Sequence, residues 1–238
     1  MSEVKIPEKW GLVVDQDICT GCNACIVACS MENNVPFVGE EDVADGRGMY
    51  WIYNKRYWEG EYPEVNATYQ PVMCQQCGNA PCEPVCPVFA TLHSEEEQIN
   101  VQVYNRCIGT RYCANNCPYH ARQFNYRDHD MPEPMSSYLN PDVSVRRRGV
   151  MEKCTFCVQR IVKGRQAADA EGRELMDGEV QPACVQACPS SALIFGDLSD
   201  PESKASQAAQ NQRRFKILEE LGTHPRVTYL KGGGRNVG

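Results

Sequence analysis

The stretch Cys19-Thr20-Gly21-Cys22-Asn23-Ala24-Cys25-Ile26-Val27-Ala28-Cys29 puts two residues between the first three thiols and three before the last. Thiols at the tighter spacing wrap one loop around three corners of an iron–sulfide cube. The fourth, farther along, points away toward a second cube. The pattern therefore encodes paired clusters, each completed by a cysteine from another group. Outward along the chain the same grammar recurs. CQQCGNAPCEPVCP carries Cys74, Cys77, Cys82 and Cys86, and CIGTRYCANNCP carries Cys107, Cys113 and Cys117. A last group is split between CTFC, with Cys154 and Cys157, and CVQACP, with Cys184 and Cys188. These groups use all fifteen cysteines. Pro87, Pro118 and Pro189 close three of them, whereas Ser30 follows Cys29 in the first.

Zinc and disulfides are the competing uses of cysteine. Structural zinc takes two Cys-x-x-Cys pairs separated by a knuckle, and has no use for a third thiol at the same spacing or for a Cys-Pro ending. An odd number of cysteines does not close a disulfide framework. The spacings select iron and sulfide.

The third group departs from the rule at one position. Thr110 stands where the second ligand belongs, in Cys107-Ile108-Gly109-Thr110-Arg111-Tyr112-Cys113. A threonine hydroxyl is a hard, weakly acidic donor, while iron in these clusters takes soft thiolate. The expected outcome is loss of that corner iron and a 3Fe–4S cluster. The alternative is a 4Fe–4S cluster with a water or hydroxyl ligand.

Chain order pairs the adjacent second and third groups and leaves the first with the fourth. Reciprocal ligation then assigns Cys19, Cys22, Cys25 and Cys188 to one 4Fe–4S cluster and Cys29, Cys154, Cys157 and Cys184 to its neighbour. Cys74, Cys77, Cys82 and Cys117 hold a third, and Cys86, Cys107 and Cys113 hold the 3Fe–4S cluster. The inventory is three 4Fe–4S clusters and one 3Fe–4S cluster. This nested order predicts an α+β fold of two ferredoxin-like dicluster lobes related by pseudo-symmetry, with long loop insertions. Residues 1–73 and 145–238 form the first lobe, with an insertion at 30–73, and residues 74–144 form the second.

At 238 residues the chain suits one or two domains. Its mean hydropathy of -0.49 is that of a soluble protein, and no stretch approaches the roughly 18 apolar residues of a membrane span. MSEVKIPEKWGLVVD has no apolar core of a signal peptide, and the run Arg146-Arg147-Arg148 lies too far inside to act as a twin-arginine signal. A net charge of -7 argues against a nucleic-acid partner, which would need a basic face.

GLVVD, INVQV, ALIF and RVTYL read as short strands. VCPVFATL reads as a short helix after its cysteine loop, and QNQRRFKILEELG as a helix closed by Gly222. WIYNKRYWEGEYPE reads as a strand or an extended arm. Residues 118–153, with the proline-rich MPEPMSSYLNPD, read as an insertion. These two regions are either plain surface loops or contact surfaces for partner subunits, since aromatics favour interfaces.

The groups, their order and Thr110 resemble the iron–sulfur subunits of the dimethyl-sulfoxide-reductase superfamily, over roughly residues 10–230. Nitrate-reductase-type subunits also lose this ligand, to tryptophan. Threonine, with WGLVVDQDICTGCNACIVACSMENNVPFVGE and YNRCIGTRYCANNCPY, is closer to the subunits of the quinone reductase complex and of alternative complex III. The resemblance implies a non-catalytic electron relay between a large molybdopterin-family-like subunit and an integral-membrane quinone-binding subunit, with a multihaem cytochrome c as a further partner. It implies the periplasmic face of the membrane, reached with a signal-bearing partner, the cytoplasmic face being the alternative. A subunit of a true molybdoenzyme acting on a small oxyanion or sulfur compound is the alternative function, and a free polyferredoxin a rival that the long insertions disfavour.

Other features carry less. His120, in CPYHARQF, is either a surface histidine or a neighbour of the 3Fe–4S cluster. Lys153 and the arginine run would raise a nearby cluster's potential or form a solvated basic face. No catalytic triad, phosphate-binding glycine loop or His-Glu-x-x-His motif is present, and Gly232 to Gly234 read as a tail.

Overall fold

The computed structural model describes residues 9–129, 131 and 133–232. Gly233, Gly234, Pro132 and the first eight residues, on which parts of the foregoing readings fall, lie outside them.

Strand β1 (Trp10–Asp15) is followed by helices α1 (Ala24–Glu32) and α2 (Glu40–Ala44), then by strands β2 (Ile52–Glu61) and β3 (Glu64–Met73). Next come β4 (Thr91–His93), β5 (Asn100–Gln102), α3 (Tyr112–Asn115), β6 (Gln123–Phe124) and β7 (Met151–Glu152). The chain continues with α4 (Val158–Ala170), α5 (Ala183–Gln186), β8 (Leu193–Asp197), α6 (Lys204–Ala209), β9 (Arg214–Phe215) and β10 (Val227–Leu230).

β1 is a central strand, and its composition explains why. Leu12, Val13 and Val14 are all buried, so both faces are covered and the run is continuously apolar rather than alternating. It pairs antiparallel with β8 and parallel with β10, whose far edge takes β9, giving the order β8-β1-β10-β9. Phe195 of β8 stacks on Trp10 at 5.2 Å and meets Phe156 edge-on at 5.3 Å, so the sheet anchors the CTFC loop directly. The other side of the sheet reaches the second cysteine group. Arg226 N–H donates to Gln75 O (2.9 Å), Gly78 N–H to His224 O (2.9 Å), and the Tyr229 hydroxyl to Pro71 O (3.0 Å).

β2 and β3 form a hairpin in register from Ile52↔Met73 to Glu61↔Glu64. At about 3.3 Å per residue its arms are about 33 Å long. The base is buried at Ile52, Val72 and Met73, whereas Trp58 and Tyr62 near the tip are exposed. WIYNKRYWEGEYPE is thus a strand that leaves the body. β4 pairs with β5, and β6 with β7.

Two helix readings fail. Residues 210–222 are not a helix: Phe215 enters β9 opposite Tyr229, with rings 5.6 Å apart. Leu218 turns left-handed (φ 51), and Gly222 caps only a single 3-10 turn at Glu219–Leu221. Sheet pairing overrides propensity there. VCPVFATL is a turn leading into β4, because Pro87 offers no N–H and Phe89 is left-handed (φ 49). The short helices α1, α3 and α5 instead lie inside the cysteine groups.

Among the described residues no helix is long and apolar enough to cross a membrane.

Candidate iron–sulfur centres

The first loop shows how local sequence positions thiols. Gly21 (φ 68) and Asn23 (φ 62) are left-handed, and α1 starts at Ala24. A Cβ at Gly21 would lie 2.4 Å from the Tyr69 ring, so only glycine lets the loop close there. Ala24 N–H and the Thr20 hydroxyl bond the exposed Cys22 sulfur and hold its thiol below the usual range.

The Cys-Pro endings are built alike. After Cys86, Cys117 and Cys188 the chain turns through Phe89, His120 and Ser191, all left-handed at φ 49 to 53. Each returns its N–H to the cysteine carbonyl at 3.2–3.4 Å. The next residue then aims its own amide at the sulfur: Ala90 at Cys86 (3.1 Å), Ala192 at Cys188 (3.3 Å) and Ala121 at Cys117. Amides directed at sulfur favour the thiolate that iron requires.

The thiols gather in sets. Burial and the charges of Cys19, Cys188 and Cys22 push the Cys25 thiol up to about 11. Burial, then Cys154, Cys184 and Cys157, raises Cys29 well above its ordinary value. Burial, then Cys74, Cys82 and Cys117, takes Cys77 to about 12. Burial raises Cys113, with Arg122 opposing and Cys82 and Cys107 adding to the rise. Cys86 lies near Arg122; burial resists its thiolate, but the amides of Val88, Thr91 and Ala90 prevail. Charge also acts across the groups: Cys25 on Cys184, Cys74 on Cys154, and Cys82 on Cys113. Cys29, Cys154, Cys157 and Cys184 are all buried, as are Cys74, Cys77, Cys82 and Cys117, while Cys19, Cys22, Cys188, Cys86 and Cys107 are partly or fully exposed.

Three polar side chains sit close to these cysteines, and of them only Lys153 stands out in the sequence. Asn33 Nδ2 donates to Cys29 Sγ and Cys157 Sγ, both at 3.6 Å. Arg122 Nη2 donates to Cys82 Sγ at 3.0 Å. Lys153, fully buried, donates to the carbonyls of Asn100 and Cys154. The arginine run is no continuous basic face: Arg146 is buried, pairs with Glu152 at 2.7 Å and stacks on Trp51 at 5.2 Å, while Arg147 and Arg148 are exposed. His120 is exposed. Thr110 is exposed at the mouth of a cavity of about 460 Å³, lined also by Arg47, Arg111, Phe124 and Tyr126.

The donor chemistry fits iron–sulfur clusters. The donors are thiols with amides trained on them. Among the described residues no three His, Cys, Asp or Glu side chains gather tightly enough to hold a single ion, as tetrahedral zinc requires. Buried thiols held neutral must release protons on loading, so assembly is coupled to deprotonation.

Comparison with known proteins agrees. The 4Fe–4S dicluster domain family matches residues 18–90 and 106–192. The iron–sulfur cluster-binding subunit of menaquinone reductase from Nitratidesulfovibrio vulgaris is 47% identical over 93% of this chain and 88% of its own. A putative dimethyl sulfoxide reductase iron–sulfur subunit of Halobacterium salinarum is 38% identical, over 94% and 79%. A polysulfide reductase subunit of Wolinella succinogenes is 32% identical, over 95% and 97%. The cysteine loops and the matches to both halves make the chain a member of the iron–sulfur subunits of the dimethyl-sulfoxide-reductase superfamily.

Proposed function

We propose that this chain is the electron relay of a membrane-associated quinone reductase, with no substrate site of its own. When bound, iron–sulfur clusters take up and release single electrons. The cysteines would hold them in the sets assigned from spacing: Cys19, Cys22, Cys25 and Cys188; Cys29, Cys154, Cys157 and Cys184; Cys74, Cys77, Cys82 and Cys117; and Cys86, Cys107 and Cys113. The observation that carries the reading is the pattern of thiol burial, and the charge effects of Cys25 on Cys184, Cys74 on Cys154 and Cys82 on Cys113 support the order of the sets. Two sealed sets lie between two that reach the surface, as a relay between two partners requires.

The Thr110 set is the output end. A three-thiol site there is a 3Fe–4S site, and Thr110 opens on the cavity between Arg47 and Tyr126. The Cys19 set is the input, facing a large molybdopterin-family-like subunit. Two ferredoxin-like lobes, 1–73 with 145–238 and 74–144, are related by pseudo-symmetry. The sheet β8-β1-β10-β9 draws only on the first lobe, which supports that division, and the pairing of β6 with β7 ties the two lobes together. The hairpin β2–β3, with Trp58 and Tyr62 exposed, is an inserted arm that grips a partner subunit. The higher identity to a menaquinone reductase subunit than to a polysulfide reductase subunit favours quinone as acceptor. A cytochrome c serves as donor, and the assembly works on the periplasmic face.

The test is composition together with order. Anaerobically purified protein should be brown and contain about fifteen irons, the sum for three four-iron sites and one three-iron site. The holo-complex should reduce a menaquinone analogue. Stoichiometric zinc without visible absorption would sink the proposal, as would redox titration that puts the three-iron centre lowest.

A further inference from the structure

Arg122 is 6% exposed, and its guanidinium is spent on the interior. Nη1 donates to Gln102 Oε1 at 2.8 Å. Nη2 donates to Thr91 Oγ1, to Asn100 Oδ1 at 3.0 Å and to Cys82 Sγ at 3.0 Å. The three oxygens are neutral. Among the described residues no carboxylate pairs with it, whereas buried Arg146 has Glu152. A cation taken out of water without a counter-charge is strongly disfavoured.

Sulfur supplies the missing negative charge. Nη2 lies 3.0 Å from Cys82 Sγ, and Arg122 lines the same cavity as Thr110 and as Ala114, the residue after Cys113. Cys74, Cys82 and Cys117 belong to the third set and Cys113 to the fourth. One guanidinium therefore faces the last two sets at once. The charges that act on Cys19 and Cys25, at the other end, are those of other thiols.

We propose that Arg122 sets the one-electron potentials of the third and fourth centres together. Each centre gains one electron and one negative charge on reduction, with no proton taken up. A fixed cation shared between Cys82 and Cys113 stabilises that reduced form in both. Arg122 thus biases the wire toward its Thr110 end. The inference rests on the cysteine sets proposed above.

The experiment is a potentiometric titration of the purified complex followed by electron paramagnetic resonance. Wild-type protein is read first, and fewer than four redox-active centres would overturn the four-centre reading itself. With four present, Arg122→Gln should lower both centres at the Thr110 end by at least tenfold in the one-electron equilibrium, about 59 mV. The Cys19 centre should not move. Arg122→Lys keeps the charge and should restore most of the shift. An equal fall in Arg122→Lys and Arg122→Gln would overturn the proposal, because charge would then be irrelevant. Gln102→Glu leaves Arg122 in place but sets a carboxylate against Nη1, and should lower the same two centres. It decides the matter if Arg122→Gln fails to assemble. Unmoved potentials in Gln102→Glu, with iron content intact, overturn the proposal.

Discussion

Loops 19–25 and 107–113 are the same backbone with one ligand changed. Gly21 and Gly109 are left-handed at φ 68 and 76, Asn23 and Arg111 both at φ 62, and the helices begin at Ala24 and Tyr112. A side chain is excluded at both glycines, by the Tyr69 ring at 2.4 Å in one loop and by Gly149 O at 2.6 Å in the other. Cys22 and Thr110 therefore occupy equivalent corners, and both are exposed. The shape of such a loop does not depend on its second ligand. A thiol can be exchanged for a hydroxyl there without disturbing the fold.

The largest effect that would break the equivalence comes from a thiol both loops retain. Cys113→Ser removes one of only three thiols in its set, whereas Cys25→Ser removes one of four. Iron in Cys113→Ser should fall from about fifteen to about twelve, and quinone reduction by the complex should be lost while donor-side centres still bleach. Equal loss of both activities in an intact protein would contradict the order proposed for the wire.

The reciprocal exchange sharpens the comparison at the scale of a single iron. Thr110→Cys should gain one iron and lose the paramagnetic signal of an oxidised three-iron centre. Cys22→Thr should do the reverse in the other loop, since a hydroxyl there holds iron poorly. A wild type without a three-iron signal would mean that Thr110 or a water completes the corner after all.

The two loops also end differently. Cys117-Pro118 turns sharply through left-handed His120, whereas Cys29-Ser30 stays inside α1 until Glu32. Asn33, just beyond, then donates its side chain to Cys29 Sγ. Ser30→Pro imposes the other ending. It removes a helical N–H and drives the ring toward the carbonyl of Ile26, which costs about 3 kcal/mol. The unfolding midpoint should fall by about 6–12 °C for a chain of this size, and the signal of the Cys29 centre should broaden or vanish. Unchanged stability would mean that α1 carries no load in holding Cys29.

How much of the molecule is legible in its sequence follows from what each residue answers to. Cysteine spacing and the Thr110 gap are local and chemical, so they are readable without a fold. GLVVD, ALIF and RVTYL are readable as strands because their short apolar runs are buried on both faces in β1 and β10 and mostly buried in β8, where Ile194 is half-exposed. Phe215 misleads because only its pairing with Tyr229 makes that segment extended. Lys153 stands out by its charge, but nothing local to it signals complete burial. Arg122, Asn33 and Asn100 are invisible for a shared reason. Asn33 reaches Cys157 as well as nearby Cys29, Arg122 reaches Cys82, and Asn100 reaches Arg122, and no spacing rule marks a side chain that meets a partner so distant in sequence only after folding.

The smallest effect concerns His120, and it separates backbone from side chain. His120 is exposed and left-handed (φ 51), and its N–H donates to Cys117 O at 3.2 Å. Phe89 and Ser191 hold the same place after Cys86 and Cys188, so three unrelated side chains serve one turn. What the turn requires is the left-handed backbone, which lets Ala121 direct its amide at Cys117. Asparagine adopts that conformation readily, and His120→Asn should change stability by less than about 0.5 kcal/mol. Valine is branched at Cβ and resists it, so His120→Val should destabilise by about 1–2 kcal/mol. Neither should move the potential of the third or fourth centre, measured by the same titration used for Arg122. A shift in His120→Asn with the fold intact would show that the imidazole itself acts on a centre, and the turn would then be more than a scaffold.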